Sequence, residues 1–416
     1  MALTSSEKGV WSLDEVYNKI NAGGIWTYNQ AITTWSWGEQ DYGELGVNTS
    51  GTRYSSPKQV GTDASWAGMG NRARGTSKSS ALWLKNDGTA WVSGTNAYGL
   101  LGLNESGNPY ATSPRRSSPT QIGTATTWAT EQGKATGVAY GAKVAIKTDG
   151  TMWAWGRNYF GALGQNSPEN TNRSSPTQIP GSTWVNVSAS TASSDPEVIA
   201  TKSDGSIWVW GENQSGSLGQ NDAVKYSSPV QVPSPGPGTT TWQTERGKFC
   251  GGDSNMYAIN TDNELWAWGE NERGALGLNE SSPGAHKSSP VQIPGSWSFI
   301  EGGGNGGMAL GIKTDGTSWS WGYNNYGQLG QNSGGPGQGL SSPVQLSGTW
   351  TKFVQGGFSS YGFKGTDLYA WGPGTNGILG QNDQTNRSSP TQIPGTWEDL
   401  TQAGEAVWAT QISAPS

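Results

Sequence analysis

The chain has 416 residues and an unusual composition, with 64 glycines, 23 tryptophans and only 13% charged residues. Its net charge is −6 and its 25 lysines and arginines are scattered. This excludes the clustered basic surface that binds a phosphate backbone, so we expect no nucleic-acid partner. The single cysteine, Cys250, excludes an intramolecular disulfide framework. The sequence has neither a signal-peptide pattern nor an apolar run of membrane-spanning length, so we expect no signal peptide and no membrane insertion.

Residues 1–33 do not share the pattern of the rest of the chain and predict a docking segment with one short helix. Ser12 and Glu15 have the spacing of a capping box, which predicts a helix over residues 13–22. Gly23 and Gly24 end this helix. Its apolar residues recur at helical spacing and form one amphipathic face, which consists of Leu13, Val16, Tyr17 and Ile20.

The apolar face of this helix belongs to no repeat and is costly to leave exposed. It is covered either by the remainder of its own chain or by another protein, and the sequence leaves both alternatives open. Trp11 and Trp26 flank the helix and extend the apolar surface. The predicted partner-binding residues are therefore Trp11, Leu13, Val16, Tyr17, Ile20 and Trp26.

From Thr34 onward one sequence unit recurs. Its third copy, residues 151–179, contains W-A-W-G, then N-x-x-G-x-L-G, then S-S-P-x-Q. A period of 50 to 62 residues between copies indicates a repeat architecture. The glycine that closes the W-G step appears seven times, at Gly38, Gly94, Gly156, Gly211, Gly269, Gly322 and Gly372.

Each repeat predicts four short strands. In the third repeat the first strand starts at Trp128, the second covers residues 143–147, the third covers residues 151–155 and the fourth opens at Pro176. An Asp-Gly pair separates the second strand from the third, which is a strong hairpin signal. Four short strands per unit, with no helical periodicity between them, are typical of a propeller blade.

The two ends of the chain carry complementary halves of one blade. Residues 34–37 and 57–60 resemble a third and a fourth strand, whereas residues 397–400 and 406–412 resemble a first and a second. Pairing these ends would close the ring and remove exposed strand edges. We therefore predict an all-β domain over residues 34–416, a seven-bladed β-propeller with four-stranded blades whose first blade is closed by strands from both termini.

The unit W-x-W-G-x-N-x-x-G-x-L-G…S-P-x-Q-I…W resembles the repeat of the regulator of chromosome condensation family over nearly all of residues 34–412. The resemblance implies a seven-bladed propeller whose faces bind small GTPases, chromatin or other proteins. The family also includes a secreted class that inhibits β-lactamases. Two repeats depart from the pattern: Ser93 replaces the second tryptophan of the second repeat, and Tyr369 replaces the first tryptophan of the seventh.

The sequence flags no catalytic residue, no metal site and no cofactor. The turn aspartates precede glycines, so we expect them to form hairpin turns. The tryptophan pairs recur at regular spacing, so we expect them to pack one blade against the next and not to bind carbohydrate. His286, the only histidine, is expected on a solvated loop, and Cys250 in a turn near the axis. Neither has a neighbouring nucleophile or base that the sequence reveals. We predict that the protein is not an enzyme and has no small-molecule ligand.

Loop length varies between repeats. The second repeat inserts residues 105–116 between its L-G-x-N and S-S-P segments, where most repeats insert fewer residues. Inserted loops on a rigid scaffold often carry binding residues, although tolerated drift explains the insertion equally well. The candidate loop contacts are Tyr110, Arg115 and Arg116.

Three classes of function remain for comparison. Residues 9–26 resemble short motifs in structural proteins of marine bacteriophages, which favours a virion component: a propeller displayed on a capsid or tail, tethered by its N-terminal segment to other virion proteins or binding a host surface protein. The alternative is a cytoplasmic protein-interaction scaffold, as the repeat family implies. The third class, a glycosidase or lyase, would need a pair of catalytic carboxylates, and the sequence shows no such signature.

Overall fold

The computed structural model describes residues 32–412 except positions 64, 68–79, 106–113, 132–133, 139–140, 191–195, 235–240, 282–284, 304–306, 336 and 358. The chain divides into two units, Met1–Ala31 with Ser413–Ser416 and Ile32–Ile412, and all described residues lie in the second. The helix predicted over residues 13–22 lies outside the described residues and stays a prediction.

The described residues form 27 strands in seven antiparallel sheets, each of which is one blade. The first blade begins with β1 (Ile32–Gly38) and β2 (Tyr54–Gln59). The second holds β3 (Ser80–Leu84), β4 (Ala90–Thr95) and β5 (Arg115–Gln121). The third holds β6 (Ala135–Val138), β7 (Ala142–Ile146), β8 (Met152–Gly156) and β9 (Arg173–Ile179). The fourth holds β10 (Trp184–Ala189), β11 (Glu197–Lys202), β12 (Ile207–Gly211) and β13 (Tyr226–Gln231).

The fifth blade holds β14 (Phe249–Gly251), β15 (Asn255–Ile259), β16 (Leu265–Gly269) and β17 (Lys287–Ile293). The sixth holds β18 (Trp297–Gly303), β19 (Met308–Lys313), β20 (Ser318–Tyr323) and β21 (Gly339–Leu346). The seventh holds β22 (Lys352–Gln355), β23 (Ser360–Lys364), β24 (Asp367–Gly372) and β25 (Arg387–Ile393). The chain then returns to the first blade with β26 (Trp397–Ala403) and β27 (Ala406–Ile412).

Helical structure among the described residues is limited to single turns. Four 3-10 turns follow the third strands of blades two, three, five and seven: Ala97–Gly99, Tyr159–Gly161, Glu272–Gly274 and Thr375–Gly377. No helix in this part of the chain has the length and hydrophobicity needed to cross a membrane.

Each four-stranded blade runs outward from the propeller axis. The first strands of neighbouring blades contact each other from β6 through β10, β14, β18 and β22 to β26, so they surround the axis. The second strands are buried, as every residue of β7 shows. The fourth strands, which carry the Ser-Ser-Pro segments, are only half-buried and form the outer rim. Proline is tolerated there because an edge strand leaves one row of N–H groups unpaired.

Both ends of the described propeller meet in the first blade. β1 pairs with β27 over seven residues, from Ile32 opposite Ile412 to Gly38 opposite Ala406. The sheet order is β2-β1-β27-β26, so β26 and β27 supply the first and second strands and β1 and β2 the third and fourth. The prediction that strands from the two chain ends close the first blade is confirmed.

The second blade retains an indole at its joint although it lacks the second tryptophan of the motif. Its described strands are β3 to β5, preceded by a single bridge from Trp66 to Lys85. Trp83 on β3 supplies the missing ring and donates its Nε1–H to Ser93 Oγ at 3.2 Å. Ser93 Oγ in turn donates to the carbonyl of Glu44 in the first blade at 2.9 Å. The substitution is therefore compensated from the neighbouring strand.

The hydrophobic core is divided into layers between neighbouring blades. One layer combines Val144 and Leu163 of the third blade with Val187 and Trp210 of the fourth. Equivalent layers lie between the other described neighbours, including the seventh and first blades. Each blade therefore depends on both neighbours for its burial, which is how repeat architectures gain stability.

Candidate interaction face

The repeated motif forms the joints between neighbouring blades. A Cβ on Gly161 would lie 2.6 Å from the Cα of Ser227 in the next blade, and one on Gly164 would lie 2.8 Å from Nε1 of Trp210. Both glycines also have positive φ, so no other residue fits these positions without strain. The Trp210 Nε1–H donates to the carbonyl of Ala162 at 3.0 Å. The spacing G-x-L-G, the second tryptophan and the Ser-Ser-Pro segment are thus parts of one contact.

The same indole hydrogen bond recurs around the ring. Its distances to the carbonyl of the preceding blade are 3.1 Å for Trp155, 2.8 Å for Trp268, 3.0 Å for Trp321, 2.9 Å for Trp371 and 2.8 Å for Trp37. The bond of Trp37 reaches the seventh blade and completes the ring. These contacts agree with the prediction that the tryptophan pairs pack blade against blade. They also explain why the motif identifies the fold without identifying a function.

The propeller has two ends with different loops. We call the end that carries the loops between third and fourth strands the W-G face, and the end that carries the hairpins between second and third strands the Asp-Gly face. On the Asp-Gly face, Asp149 Oδ1 accepts the N–H and the hydroxyl of Thr151 at 2.9 and 2.7 Å. These hydrogen bonds lower the pKa of the Asp149 carboxyl. The carboxyl forms the turn, as the sequence predicts.

On the W-G face, cationic side chains lie over aromatic rings of the neighbouring blade. Such stacks are attractive and restrict both side chains. Sequence reasoning did not find them, because the two partners are far apart in the chain. The four stacks are Arg115 over Tyr42 at 4.7 Å, Arg157 over Tyr98 at 4.6 Å, Lys225 over Phe160 at 3.7 Å and Arg273 over Tyr323 at 4.4 Å from the ring centroid.

The residues just before the glycines of these loops adopt an uncommon conformation. Tyr98, Phe160 and Arg273 have φ values of 59°, 50° and 53°, in the left-handed region. For residues with a Cβ this backbone geometry costs on the order of 1–3 kcal/mol and is found preferentially at functional sites. The W-G face therefore holds large side chains in a strained, fixed arrangement.

Of the predicted loop contacts, the structure places two on the W-G face. Arg115 and Arg116 begin β5, and Arg115 takes part in the stack on Tyr42. Arg116 makes a two-pronged contact with Glu105, whose oxygens lie 2.8 and 3.0 Å from Nη2. The first residue of the insertion, Glu105, therefore fixes the side chain of Arg116, its last residue. Tyr110 lies outside the described residues, as do Trp11, Leu13, Val16, Tyr17, Ile20 and Trp26.

Exposed apolar side chains lie on the same face. The large hydrophobic residues exposed in the described part of the chain are Val224 at 58%, Tyr326 at 43% and Val344 at 39%. Val224 and Tyr326 lie in W-G face loops of the fourth and sixth blades, and the exposed Arg273 lies in the loop of the fifth blade between them. Val344 lies on the outer strand β21. The sequence signal for Tyr326 is its position directly before a motif glycine.

The first blade adds an acidic cluster to the W-G face. Glu39 and Glu44 follow β1, and the N–H of Glu39 donates to the carbonyl of Glu405 between β26 and β27 at 2.8 Å. Burial, followed by the charges of Glu405 and Asp41, raises the pKa of Glu39 to about 7. Burial also raises the pKa of Glu44 to about 7. Arg53 lies 3.6 Å from Glu39 and offsets part of this charge.

His286 and Cys250, the two residues considered above for catalysis, both make hydrogen bonds with the backbone. The Nδ1 of the exposed His286 accepts the N–H of Asn271 at 3.2 Å. Cys250 lies buried on β14, where its Sγ accepts the N–H of Gly302 at 2.9 Å, so the prediction that it sits in a turn is wrong. In the described ranges no group of three or more His, Cys, Asp or Glu side chains is placed to hold a metal ion.

Comparison with known proteins shows what the repeats are similar to. The family model of the regulator of chromosome condensation (RCC1) repeat matches residues 149–194, 204–241, 262–310 and 367–404. The ultraviolet-B receptor UVR8 of Arabidopsis thaliana is 27% identical over 261 residues, which cover 59% of this chain and 54% of the receptor. The E3 ubiquitin-protein ligase HERC2 of Homo sapiens is 26% identical over 243 residues, which cover 57% of this chain and 5% of the ligase.

Solved structures share the fold. Prp20p from Saccharomyces cerevisiae superposes with a TM-score of 0.72 at 17% identity and covers 93% of both chains. Human WBSCR16 superposes with a TM-score of 0.74 at 17% identity and covers 92% of this chain and 99% of its own. This chain spans about half the length of UVR8 and a small part of HERC2. The protein is a seven-bladed β-propeller, and four stretches of it are similar to the repeat of the regulator of chromosome condensation.

Proposed function

We propose that the protein is a non-enzymatic scaffold that binds another protein on its W-G face, centred on the fourth to sixth blades. The observation that carries this proposal is the exposure of Val224 and Tyr326 on the same face, with the exposed Arg273 on the blade between them. Single exposed apolar side chains are common, and they indicate an interaction site when they share a face with other residues suited to a contact.

The chemistry of these residues fits a protein partner. Tyrosine and arginine are the residue types that contribute most to the centres of protein interfaces. The Arg273 guanidinium lies 4.4 Å from the ring centroid of Tyr323, whose centroid lies 6.3 Å from that of Tyr326. Because the three side chains support one another, less conformational freedom is lost when a partner binds.

The loops that carry this patch are rigid. Asn271 Oδ1 accepts the N–H of Leu276 at 2.9 Å, and Asn324 Oδ1 accepts the N–H of Leu329 at 3.1 Å. The motif glycine Gly274 also packs against Ser341 of the sixth blade. A binding surface held by inter-blade joints needs little rearrangement, which favours specific capture of one partner.

Related propellers support a binding role. Yeast Prp20p has binding properties toward Gsp1p and histones, and a structure of yeast RCC1 (Prp20) shows it bound to Kap60. Those partners belong to that protein. What we carry over to this chain is only that a propeller of this fold can serve as a protein-binding surface.

Display on a virus particle is a separate hypothesis, and it rests on the sequence of residues 1–33. If these residues tether the propeller to a virion, deleting residues 1–30 should leave a folded, soluble protein that no longer joins particles. Val16→Asp with Ile20→Asp should have the same effect, because charges would replace apolar contact. A cytoplasmic scaffold would instead keep its partner after the deletion.

The W-G face proposal is tested by variants on and off the patch. Proteins that copurify with the wild type from its native source should be lost with Val224→Ser, Arg273→Ala and Tyr326→Ala combined, by at least about tenfold if this is the centre of the interface. The matched control is Val344→Ser, which removes an exposed apolar side chain from the rim. A partner that survives the triple variant, or that is lost equally with Val344→Ser, contradicts the proposal.

A further inference from the structure

A lysine at the end of the second strand lies between two aromatic rings in five of the blades. In the third blade, Lys147 Nζ lies 5.1 Å from the ring centroid of Trp128 and 4.0 Å from that of Trp153. An ammonium group is attracted to the face of an indole. The equivalent lysines, all near the Asp-Gly face, are Lys85, Lys202, Lys313 and Lys364.

The fifth blade keeps the two rings but lacks the lysine. Trp242 bridges to Asn260 in the same way that Trp128 bridges to Lys147, so Asn260 occupies the lysine position. Trp266 has the register on the third strand that the outer ring has in the other blades. The backbone therefore presents the same pair of indoles without the ammonium group between them.

Asn260 does not replace the lysine head group. Its Oδ1 accepts the N–H groups of Asp262 and Glu264 at 3.0 and 2.8 Å, and its Nδ2 donates to Glu264 Oε2 at 2.7 Å. The side chain thus completes its own hairpin. Within the described residues, no lysine or arginine lies over the ring of Trp242 or Trp266.

A second difference concerns the hydrogen bond of the outer indole. In the third blade Trp153 Nε1–H donates to Thr151 Oγ1 at 2.9 Å. Glu264 stands at the position of Thr151 in the fifth blade, and the buried Nε1–H of Trp266 has no acceptor in the described part of the chain. The site therefore combines two indole rings and a carboxylate.

We propose that the fifth blade binds the alkylammonium group of a partner, as carried by a lysine side chain, in the position that an internal lysine fills in other blades. The indole faces attract the cation, and the carboxylate of Glu264 adds a favourable charge. Trp266 is half-buried, so part of its side chain is accessible to solvent. The site lies toward the Asp-Gly face and does not depend on the function proposed for the W-G face.

The first blade provides an internal control. Gln411 stands at its lysine position, opposite Trp397. Its outer indole, Trp35, donates Nε1–H to Thr33 Oγ1 at 3.1 Å, so that donor is satisfied. No glutamate takes the place of Thr33. This blade lacks the lysine without acquiring the carboxylate.

The test is a titration of the protein, labelled with ¹⁵N-tryptophan, with n-butylammonium chloride. We expect the indole N–H signal of Trp266, assigned through its loss in Trp266→Phe, to shift and saturate. The same titration with 1-butanol, which lacks the charge, should not shift it. Glu264→Gln should weaken binding roughly five-fold, the effect of one partly exposed charge.

Two matched variants complete the experiment. Asn260→Lys with Asn263→Gly and Glu264→Thr rebuilds the Lys-x-Asp-Gly-Thr sequence of the third blade and should abolish the saturable shift, because an internal ammonium group fills the site. Gln411→Lys in the first blade should leave the shift unchanged. A Trp266 signal that never saturates, that responds equally to 1-butanol or that persists in the rebuilt blade overturns the proposal.

Discussion

The first and fourth blades have the same four-stranded sheet, but only the fourth is one continuous stretch of chain. In the fourth blade a turn at Asp204 and Gly205 joins β11 to β12, which pair over five residues. In the first blade β27 pairs with β1 over seven residues, although no turn connects them. Hydrogen-bonded pairing therefore replaces the covalent connection.

The joints of these two blades are also alike. Trp37 and Trp210 are both fully buried, and their Nε1–H groups donate to the preceding blade at 2.8 and 3.0 Å. Both blades also bury acidic side chains at this end: Glu44 in the first blade, and Glu197 and Glu212 in the fourth. A blade is thus defined by strand pairing and packing, and not by whether its chain is continuous.

The largest effect is expected from removing half of the first blade. Deleting residues 397–416 leaves β1 with an unpaired edge and removes the buried Trp397 and Trp408. We expect loss of cooperative unfolding and aggregation through the open edge. The measurements are circular dichroism melting and light scattering. Deletion of residues 413–416 alone keeps every described strand and should melt like the full chain. A half-blade deletion that also melts normally would show that the closure contributes nothing.

The next largest effect is expected from removing the tryptophans at the joints of the first and fourth blades. Trp37→Ala and Trp210→Ala each leave a cavity at an inter-blade contact, and each should lower the free energy of unfolding by about 3–5 kcal/mol. Chemical denaturation measures both. The half-buried outer tryptophans Trp35 and Trp208 provide matched controls, whose alanine variants should cost less. If Trp37→Ala costs much less than Trp210→Ala, the first blade is closed more loosely than its pairing indicates.

The smallest effect is the pH dependence of the first blade. The pKa of Glu44 rises to about 7 from a usual 4.5 because of burial, so the folded state binds protons more tightly than the unfolded state. This stabilisation is fully present below about pH 4.5 and is lost as pH rises toward 7. The melting temperature should therefore fall between pH 5 and pH 8, and Glu44→Gln should reduce that fall.

The fourth blade again supplies the control for pH. Hydrogen bonds from Ser206 lower the pKa of Asp204, so its titration lies below this window. Asp204→Asn should leave the change between pH 5 and pH 8 as it is in the wild type. Equal slopes in the wild type and Glu44→Gln would show that Glu44 is ionised across the range.

Much of the architecture follows from local sequence. The seven W-G glycines count the blades, the Asp-Gly pairs place the hairpins, and the half-blades at the chain ends predict the closure that β1 and β27 form. These features are readable because turns and strand alternation depend on neighbouring residues. The spacing of the motif also predicts the tryptophan packing, since every repeat must make the same contact with the next.

Other features are decided by tertiary structure, because their partners are distant in the chain. Arg115 is a candidate from its loop, but only the fold places it on Tyr42, and only the fold brings Glu39 to Glu405. Trp83 replaces the indole missing at position 93 because β3 and β4 of the second blade are adjacent in space. The two rings and the carboxylate near Asn260 likewise become a site only when three strands of the fifth blade pair. These contacts form only when the chain packs, because their residues are far apart in the sequence and no local pattern links them.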